Sequence, residues 1–310
     1  MEKSEKIYVA GHHGMVGCAI MRALQAEGYQ NLITRSSTEL DLRNQQATHD
    51  FFQSEKPDYV FMAAAKVGGI LANKKRQAEF FYDNTAIELH TIHEAHFAGV
   101  KKFCFLGSSC IYPKLASQPI KEEYLMTGPL EETNFGYASA KIAGVKMCEA
   151  YHDQYRLNYV ALMPCNLYGQ GDNFHPNDSH VLGALLRKTV EAKERGNTEM
   201  TVWGTGAVRR EFLDVDDVAQ ACLFLMNRED GQGLYNVGMG EDVTINELTK
   251  KIFDIVGFNG TVRHDLSKPD GTPRKLLDIT KLQSLGWKPT VSLEEGIKRL
   301  HAWFLEHRPV

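Results

Sequence analysis

The chain has 310 residues, and 35 basic against 39 acidic side chains give a formal charge of −4, which argues against a polybasic nucleic-acid binder or an anionic-membrane anchor. Its length fits a large α/β unit with a smaller partner lobe. Six scattered cysteines, no secretion-type apolar region before them, and no apolar run near the roughly 20 residues that cross a bilayer lead to the expectation of a cytoplasmic protein with free thiols, no membrane contact and no nucleic-acid partner.

In chain order, "KIYVAG", "YVFMAAA", "KKFCFLGSS" and "YVALMPCNLYG" read as short buried strands separated by helical patterns such as "MVGCAIMRALQAEG" and "NTAIELHTIHEAHFAG". This rhythm predicts a Rossmann-type parallel sheet wound with helices over residues 1–168. After Tyr168 the polar, turn-rich "GDNFHPNDSH" opens a second, smaller α/β substrate domain over 169–310. A segment near 207–235, containing "DVDDVAQACLFLM", is expected to return to the first domain. "TINE" at Thr244–Glu247 and "SLEE" at Ser292–Glu295 each read as a capping box opening a helix.

The first strand runs into "AGHHGMVG", which places Gly11, Gly14 and Gly17 at a strand-to-helix turn. Glycines there let the backbone approach a pyrophosphate, and the helix amides of Met15 and Val16 favour its charge. At the end of the second strand Arg35 stands where a cofactor without a ribose phosphate more often meets an acid, which favours NADP over NAD. His13 is a supporting phosphate contact or an exposed turn residue, and Asp41 an adenine contact or a turn cap. Ala63, Ala64 and Ala65 leave room for a nucleotide across the sheet edge, although a tight strand–helix junction would select alanine too.

"YASAK" puts Tyr137 and Lys141 on one helical face, where an ammonium group would favour the phenolate and ease proton exchange. Taken alone, such a pair is more often an amphipathic surface feature. The glycine turn and Ser108 of "GSSCIYP", which can hydrogen-bond the same substrate oxygen, favour catalysis. On the residues alone Cys110 reads as a buried thiol and His180 as a polar-loop residue. No histidine, cysteine and carboxylate set has metal-ligand spacing, so no metal is expected.

These motifs resemble the extended branch of the short-chain dehydrogenase/reductase family. Together with "AAAKVGGI", "YASAKIAG", "NLYG", "DNFHPNDSHV", "REFLDVDDVA" and "KPDGTPRKLLD", they are similar over nearly the whole chain to its GDP-ketosugar epimerase/reductases. The resemblance implies NADPH-dependent 3,5-epimerisation and 4-reduction of GDP-4-keto-6-deoxy-D-mannose to GDP-L-fucose. It assigns Ser108, Tyr137 and Lys141 to reduction, and Cys110 and His180 to epimerisation. The NADPH site it implies includes the glycine turn, Tyr137, Lys141, Pro164, Asn166, Leu167 and His180.

For the sugar nucleotide it implies contacts from Ser108, Lys188, Trp203, Arg210 and Lys275, with Arg210 on the diphosphate, and it implies a homodimer. His13, Gly183 and Lys188 stand where the family commonly has arginine, proline and arginine, which leaves room for altered substrate preference. The alternatives are a C4 reductase or epimerase/reductase for a related GDP-4-keto-deoxysugar or GDP-heptose, and an NADP-binding redox sensor.

Overall fold

A computed structural model of the chain describes residues 1–176, 179–268 and 270–308. Asn177 and Asp178 of the "NDSH" turn, and Pro269 of "KPDG", therefore lie outside the described residues.

Strands β1 (Ile7–Ala10), β2 (Leu32–Ile33), β3 (Tyr59–Met62), β4 (Lys102–Leu106) and β5 (Tyr159–Pro164) alternate with helices α1 (Met15–Ala26), α2 (Gln45–Glu55), α3 (Ile70–Lys75), α4 (Gln77–Phe97) and α5 (Phe135–Tyr155). There follow β6 (Asn166–Tyr168), α6 (Val181–Glu194), β7 (Glu199–Trp203), β8 (Arg209–Arg210), β9 (Phe212–Asp214), α7 (Val215–Met226) and β10 (Gly233–Val237). The chain closes with β11 (Val243–Thr244), α8 (Ile245–Val256), β12 (Thr261–Asp265), β13 (Arg274–Lys275), α9 (Thr280–Ser284) and α10 (Leu293–His307).

Six strands form one parallel sheet in the order β10-β5-β4-β3-β1-β2. Every residue of β1, β4 and β5 is buried, because helices cover both faces and no alternation with polar residues is needed. Helix α1 buries Gly17, Ala19, Ile20, Ala23 and Leu24, the stripe that a 3.6-residue period gives when one face meets a sheet. Strand order reverses between β1 and β3, so the crevice beyond their carboxyl ends is the place where such sheets bind ligands.

A second core gathers Leu182, Leu185 and Leu186 of α6, Leu248 and Ile252 of α8, and Ile297, Leu300 and Phe304 of α10. Between the two cores the chain crosses repeatedly. Helix α7 packs in the first core through Val218, Ala221, Cys222 and Leu225, and β10 then extends the large sheet beside β5. Leu277, Ile279, Leu282 and Trp287 belong to the first core as well. The expected α/β architecture, a large parallel sheet with smaller auxiliary sheets and helices, is the one observed. Thr244 and Glu247 form the reciprocal capping box expected from "TINE", and the Ser292 hydroxyl accepts from the Glu295 amide at 3.3 Å.

Candidate active site

The turn after β1 has a geometry that side chains would obstruct. Gly11 has φ +80°, and a Cβ on it would lie 2.6 Å from the Ala64 nitrogen; a Cβ on Gly17 would lie 2.1 Å from the Gly11 oxygen. Backbone thus approaches backbone across β1, α1 and the loop after β3, where the Ala63 amide donates to the Ala10 oxygen at 3.0 Å. Gly14 caps α1, followed by Met15 and Val16 in its first turn, so free amides and the positive helix end face this cradle. Its bare backbone fits a dinucleotide pyrophosphate. Half-buried Ala63, Ala64 and Ala65 form the opposite edge of the switch point.

The residues expected to select the cofactor are less free than the sequence suggests. Arg35 donates to Glu55 Oε1 at 2.6 Å and to its neighbour Thr34's carbonyl at 2.8 Å, leaving part of its five-donor fork for another anion. His13 is exposed and lies against His12, ring centroids 3.9 Å apart and the planes tilted by 41°. Asp41 accepts the Arg43 amide at 3.0 Å and the Arg43 guanidinium at 2.8 Å, so the turn-capping alternative is the one its contacts display. Pro164 ends β5, and Asn166 and Leu167 lie in β6, where Asn166 Nδ2 donates to the Glu211 carbonyl at 2.8 Å.

At the end of β4 the chain enters a 3-10 turn over Ser109–Ile111, and Ser108 Oγ accepts the Cys110 amide at 3.2 Å. Both Ser108 and Cys110 are partly exposed. Lys275 Nζ donates to Cys110 Sγ at 3.6 Å. Parallel pairing of β13 with β8 sets Lys275 opposite Arg210, so two cations stand beside each other near the thiol. Burial opposes ionisation of Cys110, but the Lys275 charge and hydrogen bonds from Ser108, Lys275 and Asn134 outweigh it and lower the thiol's pKa. Burial instead pushes the thiols of Cys148 and Cys165 well up. Cys110 therefore has the surroundings of a reactive thiolate. Lys275, expected on the sugar nucleotide, has its ammonium group on this thiol.

Tyr137 and Lys141 leave α5 one turn apart, as their spacing requires. The expected effect of Lys141 on the phenol is not observed. Burial first, then the charges of Cys110 and Glu88, push the Tyr137 pKa up against a lowering hydrogen bond from Ser108. Lys141 is 2% exposed and pairs at 3.0 Å with Glu88 of α4, also 2% exposed. Removing one partner from such a pair leaves an uncompensated buried charge, a loss of about 3–5 kcal/mol. Sequence reasoning missed Glu88; a carboxylate within the buried stripe Phe80, Asn84, Thr91, Ile92 was the available signal.

His180 is the N-cap residue of α6 and makes no side-chain capping bond there. The ring is accessible, yet desolvation by surrounding protein lowers its pKa. Lys188, four residues beyond the Ala184 amide that bonds the His180 carbonyl, holds its ammonium 5.1 Å from the centre of the half-exposed Trp203 ring. Arg210 is partly buried, with one guanidinium donor on the Arg209 carbonyl at 2.8 Å. Contacts and charges thus join Ser108, Cys110, Tyr137, Lys275 and Arg210 into one group, with Lys141 paired to Glu88 beside it, and Lys188 with Trp203 into another. Among the described residues no group of three potential ligands could hold a metal, and no helix is long and apolar enough to cross a membrane.

Residues 7–238 match the model of the NAD dependent epimerase/dehydratase family. The putative GDP-L-fucose synthase 2 of Arabidopsis thaliana is 55% identical over 307 residues, covering 99% of this chain and 94% of that protein. The GDP-L-fucose synthase of Escherichia coli K12 is 50% identical over 313 residues, with 98% of each chain covered. The GDP-mannoheptose C4 reductase from Campylobacter jejuni, solved with NADP bound, superposes with a TM-score of 0.88 at 38% identity, covering 98% of this chain and 99% of that one. The glycine cradle, the Ser108–Tyr137–Lys141 group and these full-length likenesses lead to one conclusion: the chain belongs to the NAD dependent epimerase/dehydratase family, as an NADP(H)-dependent oxidoreductase and epimerase of its extended short-chain dehydrogenase/reductase branch.

Proposed function

We propose that this chain converts GDP-4-keto-6-deoxy-D-mannose to GDP-L-fucose by inverting C3 and C5 and then reducing C4. The observation that carries this reading is the thiol of Cys110 with the Lys275 ammonium 3.6 Å away, in the same electrostatic group as Tyr137. A reductase alone needs the tyrosine; the activated thiol fits a base for the acidic C–H bonds beside a ketone.

The C4 carbonyl acidifies the protons on C3 and C5. Cys110 removes a proton, giving an enolate, and His180 returns one from the opposite face, inverting the carbon. Epimerisation precedes reduction because it needs the ketone. When bound, the nicotinamide supplies a hydride to C4. Ser108 hydrogen-bonds the C4 oxygen, Tyr137 delivers the proton that completes the alcohol, and Lys141 supports Tyr137. Gly11, Gly14, Gly17, Met15 and Val16 would hold the pyrophosphate, with Ala63, Ala64 and Ala65 beside the nucleotide and Pro164, Asn166 and Leu167 beyond β5. Arg210 would meet the substrate diphosphate, with Lys188 and Trp203 on the remainder of the GDP.

The likeness to a GDP-mannoheptose C4 reductase favours a second reading, reduction of a GDP-heptose ketone without inversion. Comparing kcat/KM on the 6-deoxy and heptose ketones, with product stereochemistry assigned by NMR, separates the two. A preference for the heptose with retained C3 and C5 would replace the first reading.

Arg35 is the proposed contact for the cofactor's ribose phosphate. A charge-assisted hydrogen bond is worth roughly 1.5–3 kcal/mol, so Arg35→Ala is expected to cut the NADPH preference about 10- to 100-fold. The ratio of kcat/KM for NADPH and NADH in both proteins checks this. An unchanged ratio would move the discriminating contact elsewhere.

The chain also acts, in this reading, as a cytoplasmic homodimer that needs neither nucleic acid nor a membrane. Its six cysteines are free, which suits a reducing compartment. Helix α4 exposes Phe81, Tyr82, Leu89 and Phe97, and α5 exposes Tyr155, an aromatic face suited to a second copy. Sedimentation is expected to give twice the chain mass, and Tyr82→Glu to raise the monomer fraction. A fully active wild-type monomer at all concentrations would contradict the dimer.

A further inference from the structure

The three-stranded sheet β11-β8-β13 carries a conflict of charge. Its parallel register sets Arg274 opposite Arg209 and Lys275 opposite Arg210, so two like-charge pairs stand side by side, and like charges directly opposite weaken a sheet. Side chains alternate between faces, which puts Arg209 with Arg274 on one side and Arg210 with Lys275 on the other. One carboxylate relieves the first pair. Asp242, just before β11, accepts Arg209 Nε on Oδ1 at 2.7 Å and Arg274 Nε on Oδ2, while its carbonyl accepts a second Arg209 donor at 2.7 Å. Its side chain is 4% exposed, against 39% and 44% for the two arginines that cover it. The loop that carries Asp242 is itself fixed, since the Gly240 amide donates to the buried Glu211 carboxylate at 2.7 Å. The second pair faces the site, with Lys275 on the Cys110 thiol at 3.6 Å.

We infer that Asp242 is a positioning residue for the epimerisation: by bridging Arg209 and Arg274 it holds β13 on β8 in the register that delivers Lys275 to Cys110. This rests on the proposed reaction, in which Cys110 is the base. Strand β13 has two residues and lies at the sheet edge, whereas β8 is also held from its other side by antiparallel β11. Loss of the bridge therefore loosens β13, with Lys275, before it loosens β8, with Arg210. Backbone bonds set the path of the chain here. The Arg209 amide donates to the Pro273 carbonyl at 2.9 Å, the Leu276 amide to Gln118 Oε1 at 2.8 Å and the Leu277 amide to Glu211 Oε2 at 3.0 Å. The bridge sets how the side chains turn, because anchoring Arg274 on one face obliges its neighbour Lys275 to project from the other. The charged groups that act on Asp242 are Arg209, Arg274, Glu211 and Glu247, and those that act on Cys110 are Lys275, Arg210 and Tyr137.

The test is the pH dependence of Cys110 alkylation by iodoacetamide, read by mass at that residue in the NADP-loaded protein. Wild type is compared with Asp242→Asn and with the double variant Arg209→Gln/Asp242→Asn. Charge and position act on the thiol in opposite directions. Deleting the carboxylate's charge alone adds net positive charge and would lower the thiol's pKa, whereas withdrawal of Lys275 raises it. In the double variant two guanidiniums and one carboxylate become one guanidinium, so the net charge of the cluster is unchanged and position alone acts. There the alkylation midpoint should rise by about one pH unit, toward that of Lys275→Met, and C3 and C5 exchange at pH 7 should fall about tenfold. The KM for the sugar nucleotide, which follows Arg210, should stay within about threefold. Asp242→Asn, where the added charge offsets part of the effect, should rise less. An unmoved or lowered midpoint in the double variant, or in Asp242→Asn if that alone folds, would reduce Asp242 to a stabilising ion pair. If the wild type exchanges neither carbon-bound proton, the reaction assignment fails, while the alkylation midpoint still decides whether Asp242 places Lys275.

Discussion

Tyr137→Phe is expected to remove NADPH oxidation with the ketosugar by about 10²- to 10⁴-fold, the range of a general acid, while C3 and C5 proton exchange persists. The ring remains to fill its place on α5, and only the hydroxyl that protonates O4 is lost. Burial and the charges of Cys110 and Glu88 raise the phenol's pKa, so the donor form prevails across the neutral range and the wild-type rate should not fall there through loss of this proton. Stopped-flow absorbance of NADPH and NMR of the sugar carbons read the two steps separately. Equal loss of exchange and reduction would mean that Tyr137 orients the substrate for both, and its assignment to reduction alone would be withdrawn.

Cys110→Ser should have the opposite signature. Exchange at C3 and C5 should drop by about 10²-fold or more, because an alkoxide is not accessible near neutral pH where a thiolate is. NADPH oxidation should survive on ketosugar that already has the inverted configuration. The environment adds a second mark. Burial works against the thiolate, while Lys275 and the bonds from Ser108 and Asn134 prevail, so the pKa lies below that of an ordinary thiol. The limb of the exchange profile that rises with pH should therefore lie below the usual thiol range. In Lys275→Met that rise should move to higher pH, since the nearest cation is gone from its 3.6 Å position. An unchanged profile in Lys275→Met would assign the activation to Arg210 or the turn instead.

The parts of this arrangement that lie within single segments were legible in the sequence. The buried strands, the glycine turn, the box at Thr244 and the four-residue spacing of Tyr137 and Lys141 each depend on a few neighbouring residues with their own period or steric rule. Contacts made across segments were not. Glu88 reaches Lys141 only because α4 packs on α5, and Lys275 reaches Cys110 only because β13 pairs with β8 in the register that sets it against Arg210. Hence the sequence suggested an ammonium acting on Tyr137, whereas the fold sets a carboxylate against that ammonium. Arg35 was legible as a cation at the end of β2, but its partner Glu55 comes from the far end of α2, twenty residues on. The apolar run in "DVDDVAQACLFLM" was legible as a helix, α7. The first-core position of Leu277, Ile279, Leu282 and Trp287 was not, since a short helix with few apolar residues carries no address.

The account stands most directly on isotope entry during a single turnover. Wild-type protein, NADPH and GDP-4-keto-6-deoxy-D-mannose in heavy water should yield GDP-L-fucose with deuterium at both C3 and C5, one NADPH consumed per product, and hydrogen from the nicotinamide at C4. A reduced sugar with the original C3 and C5 configuration and no deuterium at either carbon would contradict it, leaving a C4 reductase in which Cys110 and His180 have no part in the chemistry.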